Sequence, residues 1–558
     1  MLRVALGYPN EAPLAQNNLG FRITEAILSS RAGFTLERFF LSPPPRGGRS
    51  GSTASPGGTA VAGALRARPF GFSLAECDLV LFSISFEGDA PHVPALLAAG
   101  GLAAASAERR PRDPLVAAGG AAVMINPEPL ARFFDLFLVG EAEALLTGFL
   151  DRWEALRGAA RGELLAGLDE LPGALAPALR RHQFWSHAGG TLNDGGQAPL
   201  DAPDAKSPAV RAAEGLKDAQ APVETVKWEG LADSVVAARL PPEAHFHESL
   251  LLELERGCPR HCRFCVASRI YAPLRTHDPG QLAAFAEHEM RPGERIGLLA
   301  LSAGDYRHLD RLTEDLARCG GRLSLSSLPA DFRKREVAAR LVASGATTVT
   351  IAPEAGSERL RALAGKRIRD DTILETVRLL AETGVQRVRT YFLVGLPFEE
   401  EADVRAITDL LAAMRRVLPF GRRLSATVNP FVPKPRTPFQ WAGMAPPARL
   451  EEAARLLRRE VPRGVELRLK SLREARLHAA LTRADAGWGR RLEIAALQGV
   501  APARQLRREG TSLEDWTAPI DPEAALPWGY LISASERKEL VKEWRAAHEE
   551  AGPSRDPA

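Results

Sequence analysis

The chain has 558 residues, 45% of them hydrophobic and 25% charged, with a formal net charge of +3. That length implies two to four domains with sizeable cores, and the ordinary composition excludes fibrous or wholly disordered classes. So small a net charge gives no electrostatic case for nucleic acid or an acidic membrane surface.

In chain order, no basic-plus-apolar leader precedes Gly7-Tyr8-Pro9, so no signal peptide is expected. Residues 1–160 alternate short apolar runs with helical patterns. Strands are predicted at Leu2–Leu6, Leu36–Leu41, Leu79–Ser83, Leu115–Ala118 and Leu136–Val139, the last two running into Gly119-Gly120 and Gly140-Glu141. This rhythm indicates a Rossmann-like open parallel sheet, whose ligands bind beyond the carboxyl ends of the strands. A Pro/Gly/Ser/Arg-rich insertion, roughly Pro43 to Ala60, reads as a loop. The longest uncharged stretch, Ala90 to Ala107, contains His92, two prolines and a Gly-Gly pair, and reads as helix and loop rather than a membrane span. Residues 161–245 read as a linker, with 187–222 too poor in large apolar side chains to form a core.

The run Glu255-Arg-Gly-Cys-Pro-Arg-His-Cys-Arg-Phe-Cys265 follows and places three of the chain's five cysteines, Cys258, Cys262 and Cys265, on one loop. Thiolates are soft ligands suited to iron–sulfur clusters, and three can hold three irons of a four-iron cube, leaving the fourth open to a small molecule. His261 inside the loop would allow a Cys3His zinc site instead. Structural zinc usually takes its four ligands as two paired groups, which favours the cluster. From Ser249 onward, strands are predicted at Ser249–Glu255, Arg295–Ser302, Leu323–Leu328, Thr347–Pro353, Val388–Gly395 and Leu424–Pro430, with helices between them. Six βα steps over 246–446 make a partial TIM-like barrel, and the cysteine loop falls at the C-terminal strand ends where such barrels are active. Residues 447–558 are expected to be mainly helical. Nine basic residues lie between Arg455 and Arg483, but interspersed glutamates favour a solvated face over an RNA-binding one.

The cysteine loop, with Phe264 as the aromatic beside the cofactor, resembles that of the radical S-adenosylmethionine (SAM) superfamily. The N-terminal segment is similar to the cobalamin-binding-like domain of one branch, through Tyr8-Pro-Asn10, Asn18-Leu-Gly-Phe21, Phe82-Ser-Ile-Ser85, Gly119-Gly120, Asn126-Pro-Glu-Pro129 and Val139-Gly-Glu141. The resemblance implies a [4Fe-4S] cluster, SAM, and a one-electron donor such as flavodoxin or ferredoxin. It also implies reductive cleavage of SAM to a 5′-deoxyadenosyl radical that modifies an unactivated carbon. Methyl transfer leads, with cobalamin-independent rearrangement or tailoring as the alternative; RNA modification rests only on the arginine-rich stretch. The branch's D-x-H-x-x-G motif is absent, and Asn17 stands where its histidine should be, so any cobalamin would lack a histidine lower ligand. Its corrin would rest against Gly119, Gly120 and Gly140. Auxiliary clusters need further cysteines, whereas Cys77 and Cys319 stand alone and read as small buried hydrophobes. An oxygen-sensitive cluster and unpaired thiols suit the cytoplasm.

Candidate SAM contacts lie at the strand ends. They are Ser302, Gly304 and Asp305 after the second barrel strand, Glu354 and Ser357 in an E-x-G-S turn after the fourth, and Gly395 after the fifth. Phe431-Val-Pro-Lys-Pro-Arg-Thr-Pro-Phe-Gln-Trp441 reads as a rigid extended loop. Its Lys434, Arg436 and Gln440 face either the substrate or a neighbouring domain, with Phe431, Phe439 and Trp441 as anchors.

Overall fold

The computed structural model describes residues 1–41, 66–68, 71–180, 222–242, 244, 249–325 and 327–552. The insertion Pro43–Ala60 and nearly all of 187–222 lie outside the described residues.

The N-terminal domain is a seven-stranded sheet of β1 (Leu2–Glu11), β2 (Phe34–Leu41), β3 (Arg66–Arg68), β4 (Leu79–Ser83), β5 (Leu115–Gly119), β6 (Leu136–Leu138) and β7 (Ala174–Leu175). Its order is β3-β2-β1-β4-β5-β6-β7, parallel except for the two edge strands. Every residue of β4 is buried, which is why a continuous Leu-Val-Leu-Phe run rather than an alternating one marks it. Strand order reverses between β1 and β4, so the crevice beyond their carboxyl ends is the switch point at which such sheets bind ligands. The linker expected over 161–245 needs correction. Helix Arg161–Asp169 and β7 complete this domain, and Val226 forms a parallel bridge to Gly140.

The barrel sheet has two halves. One runs β13 (Arg322–Leu325), β12 (Arg295–Leu299), β9 (Ser249–Glu253), β8 (Ala237–Arg239); the other runs β14 (Thr348–Glu354), β15 (Arg387–Val394), β16 (Arg423–Pro430), β17 (Val465–Leu469). A parallel bridge between Leu328 and Ile351 joins them. All six expected strands are present, within a few residues of their predicted ends. Two more extend the sheet: β8, antiparallel to β9, and β17, parallel to β16. The barrel sheet therefore continues to 469 rather than ending at 446, inside a stretch expected to be helical.

The rest of the C-terminal segment is helical and packs back on the first domain. Trp488, Trp516, Trp528 and Trp544 share one continuous core with Phe82, Phe134 and Phe137 of the N-terminal sheet and with Phe431, Phe439 and Trp441 of the loop after β16. That loop is thus a domain strap. Arg436 donates to the Met124 carbonyl and to Thr225, and pairs with Glu536; Lys434 pairs with Glu87 at 2.8 Å; the Gln440 carbonyl accepts from Trp528 Nε1. Polar groups here hold domains together rather than face a substrate. The arginine-rich stretch is likewise paired, Arg476 with Glu514 and Arg468 with Glu466, while Arg483 is wholly buried on backbone carbonyls. No helix of the described residues is long and apolar enough to cross a membrane.

Candidate active site

The cysteine loop leaves the barrel through a short hairpin, β10 (Glu255–Arg256) paired antiparallel with β11 (Arg275–Thr276). Gly257 closes its base with φ of 101°, where an added Cβ would lie 2.9 Å from Leu274 Cα. Glycine alone fits such a left-handed, backbone-crowded position without strain. Cys262 is buried, Cys258 and Cys265 are half-buried, and His261 is exposed. Burial pushes the Cys262 thiol up to about 11, opposed by the Lys366 ammonium. Among the described residues no three His, Cys, Asp or Glu side chains converge on one metal-ion position. Three thiols on one loop suit a polynuclear cluster, in which each iron takes one thiolate.

Two neighbours clamp this loop. On one side the turn after helix Glu358–Leu363 presses against it. Arg263 N donates to Ala364 O at 2.9 Å, and its guanidinium donates to Leu363 O at 3.0 Å. On the other side lies the C-terminal helix Ala534–Ala551. Glu550 forms a two-pronged pair with Arg263 (2.9 and 3.0 Å), and Glu543 pairs with Arg269 at 2.7 Å. The turn is sensitive at Gly365, whose φ is 74° and whose added Cβ would lie 2.9 Å from His261 O and 3.4 Å from Cys262 Cα. Gly365→Ala should therefore cost about 1–3 kcal/mol through the left-handed backbone. It should also lower iron retention severalfold, read as iron per chain after anaerobic reconstitution. Full iron at wild-type stability would show that this turn does not hold the loop.

Arg260, between the first two cysteines, is a residue that strand-end reasoning missed. Its guanidinium forks onto Asp305 (2.8 Å) and Asp331 (2.8 and 3.0 Å). Burial opposes ionisation of Asp305, but bonds from Arg260 and Ser302 hold its carboxyl below the ordinary value. Asp305 is thus bound to the cysteine loop through Arg260, and Ser302 donates to Asp305 at 2.6 Å. Gly304 is explained by packing, since a Cβ there would lie 2.3 Å from Pro329 Cδ.

Glu354 ends β14 with φ of 72°, a strained conformation for a non-glycine residue, and pairs with Lys366 at 3.2 Å. Both charges act on Cys262. Ser357 departs from its expected role: its hydroxyl caps helix Glu358–Leu363, accepting from Leu360 N at 3.0 Å, and donates to Asp403. Gly395 has φ of 79°, its N–H donates to Glu399 at 2.8 Å, and Ala445 and Leu450 crowd the space of a Cβ. Phe264 is half-buried against the large shared core.

Between the two domains lies a cavity of about 480 Å³, within the range usual for small-molecule sites. From the first domain it is lined by the ends of β4, β5 and β6 with Asn18, Leu19 and Gly20; from the barrel by Glu253, Glu255, Arg256, Gly257, Tyr271 and Leu299 to Leu301. The carboxyl ends of both sheets and the base of the cysteine loop thus share one space. Gly119, Gly120 and Gly140 line it as expected, but close backbone contact accounts for two of them: a Cβ would lie 2.6 Å from Ile84 O at Gly120 and 2.4 Å from Val226 O at Gly140. Asn17 does not line it, because its amide donates to Pro13 O at 2.7 Å. Asn18 does, and no histidine is among the described lining residues.

Residues 252–411 match the family model of the radical SAM superfamily. The chain carries a radical SAM domain. Residues 20–177 match the model for the N-terminal region of radical SAM proteins, so the two matches cover the two sides of the cavity. An uncharacterised protein of Methanocaldococcus jannaschii is 38% identical over 200 residues, 36% of this chain and 44% of that protein. The tRNA-2-methylthio-N(6)-dimethylallyladenosine synthase of Natranaerobius thermophilus is 25% identical over 192 residues, 32% of this chain and 43% of the synthase. The match thus spans less than half the length of either relative. Among solved structures, the radical SAM methyltransferase TsrM of Kitasatospora setae, with cobalamin and a [4Fe-4S] cluster bound, aligns with TM-score 0.46 and 15% identity over 80% of this chain and 76% of TsrM. The cobalamin-dependent radical SAM enzyme OxsB aligns with TM-score 0.39 and 14% identity over 74% of this chain and 52% of OxsB. Assignment to the superfamily rests on the two family models rather than on these likenesses.

Proposed function

We propose that the chain is a radical SAM enzyme that modifies an unactivated carbon of a substrate held between the barrel mouth and the N-terminal domain. The observation that carries this reading is the cavity that the ends of β4, β5 and β6 share with the ends of β9 and β12 and the base of the cysteine loop. Cys258, Cys262 and Cys265 would each hold one iron of a [4Fe-4S] cluster. When bound, that cluster supplies the electron for reductive cleavage of the SAM sulfonium. The chain's own residues supply position. Arg260, through Asp305 and Asp331, fixes the loop to the ends of the second and third strands, and the Lys366–Glu354 pair ties the turn that presses on the loop to the end of the fourth. The electron would come from a small carrier of the flavodoxin or ferredoxin kind, and a reducing cytoplasm would suit the cluster.

A second reading, methyl transfer through cobalamin, is favoured by the cavity's place at the β1/β4 switch point. Gly119, Gly120 and Gly140 would then border the corrin, while Asn17, turned into its own helix, would not hold cobalt. The test of the main reading is anaerobic incubation of reconstituted protein with SAM and a strong reductant. Slow release of 5′-deoxyadenosine is expected even without substrate, and its complete absence from iron-loaded protein would overturn the reading.

A further inference from the structure

The charged side chains that line the interdomain cavity have protein partners, with one exception. Glu141, Glu143 and Glu253 converge on Arg256 at 2.7–2.9 Å, and Glu141 is also held by Arg275. Glu255 is 3% exposed, and its side chain makes no hydrogen bond to any described residue, Oε1 being wholly buried. The cations around it are engaged elsewhere. Lys334 donates to Tyr306 O at 3.0 Å and pairs with Asp310, while Arg260 holds Asp305 and Asp331. A buried carboxylate without donors destabilises the fold that carries it, so its presence calls for a donor from outside the chain. Its location specifies where that donor sits. Glu255 opens the hairpin that carries the cysteine loop, three residues before Cys258, and it lines the cavity beside apolar Leu81, Phe82, Leu138 and Leu299.

We propose that Glu255 is the polar anchor of the cavity's ligand. That ligand lays an apolar body against the leucine-rich wall and brings an N–H donor, an ammonium or a carboxamide, to the Glu255 carboxylate. Burial, reinforced by the nearby Asp305 charge, pushes this carboxyl up to about 7, as suits a group that waits for a donor. The choice of probes rests on the radical SAM reading, because SAM carries an ammonium and cobalamin a rim of carboxamides.

The test is anaerobic equilibrium binding of SAM and of hydroxocobalamin, separately, to iron-loaded wild type, Glu255→Leu and Glu255→Gln. Glu255→Leu should weaken at least one probe tenfold or more. If the partner is an ammonium, Glu255→Gln should weaken SAM comparably, because the charge is lost. If it is a carboxamide, the glutamine carbonyl still accepts, and hydroxocobalamin should lose less than threefold. Ligand-free Glu255→Leu should also melt higher than wild type, which a purely structural carboxylate would not do. The proposal is overturned if Glu255→Leu melts lower, if both probes bind it within twofold of wild type, or if wild type binds neither. Wild type that takes up no iron or releases no 5′-deoxyadenosine would instead sink the radical SAM reading. Normal iron and cleavage with unshifted probe affinities would sink the anchor alone.

Discussion

Alanine at Cys258, Cys262 or Cys265 should abolish the binding of close to four irons per chain by reconstituted protein. Each thiolate holds a separate iron, so the loss of any one leaves the cube with too few anchors. Cys77→Ala and Cys319→Ala should bind iron like wild type. Cys77 lies in the hydrophobic core, where burial pushes its thiol up to about 12, and Cys319 ends the helix Leu309–Arg318 away from the cysteine loop. The measurement is iron content together with visible charge-transfer absorbance. Stoichiometric zinc without that absorbance, lost in a His261 variant as readily as in a cysteine variant, would replace the cluster with a Cys3His site.

Arg256→Ala should be the most destabilising single change at the junction between the domains. Arg256 is 8% exposed and bonded to Glu141, Glu143 and Glu253, two of them from the N-terminal domain. Removing the cation leaves Glu141 and Glu253 buried and Glu143 half-buried, with Arg275, Lys227 and His277 close by. Breaking one side of a buried ion pair costs about 3–5 kcal/mol. Arg256→Lys should recover only part of the loss, since a point charge cannot fork onto three carboxylates at once. Chemical denaturation, with limited proteolysis to report separation of the domains, reads the effect. A loss below about 1 kcal/mol would show that the network behaves like a surface cluster rather than a buried one.

What could be read from the chain follows from what each element buries. The strands β4 and β9 are buried along their whole length, so their apolar runs are visible without any knowledge of neighbours. β17 was not visible in that way. Val465-Glu-Leu-Arg-Leu469 is a half-exposed edge strand, and its charged positions merge with the arginine-rich helices on either side. The two-residue strands β7, β10 and β11 are too short for any periodicity to show. Among the site residues, the cysteines were legible because their ligand spacing is local. Arg260–Asp305 and Arg263–Glu550 were not, because their partners are 45 and 287 residues apart. Asn17 and Asn18 are neighbours with different surroundings, and the sequence does not show which of them meets the cavity. Asn18 caps the following helix by accepting from Phe21 N, and that turns Asn18, not Asn17, to the cavity.

The ion pair between Arg263 and Glu550 also sets a schedule. At ~5–20 residues per second, a ribosome needs about 15–60 s to travel from the cysteine loop to the helix that clamps it. For most of that interval the loop has already been made while its support from Glu550 has not. Rigid seating of the loop is therefore a late event, timed by the synthesis of the helix and not by that of the loop.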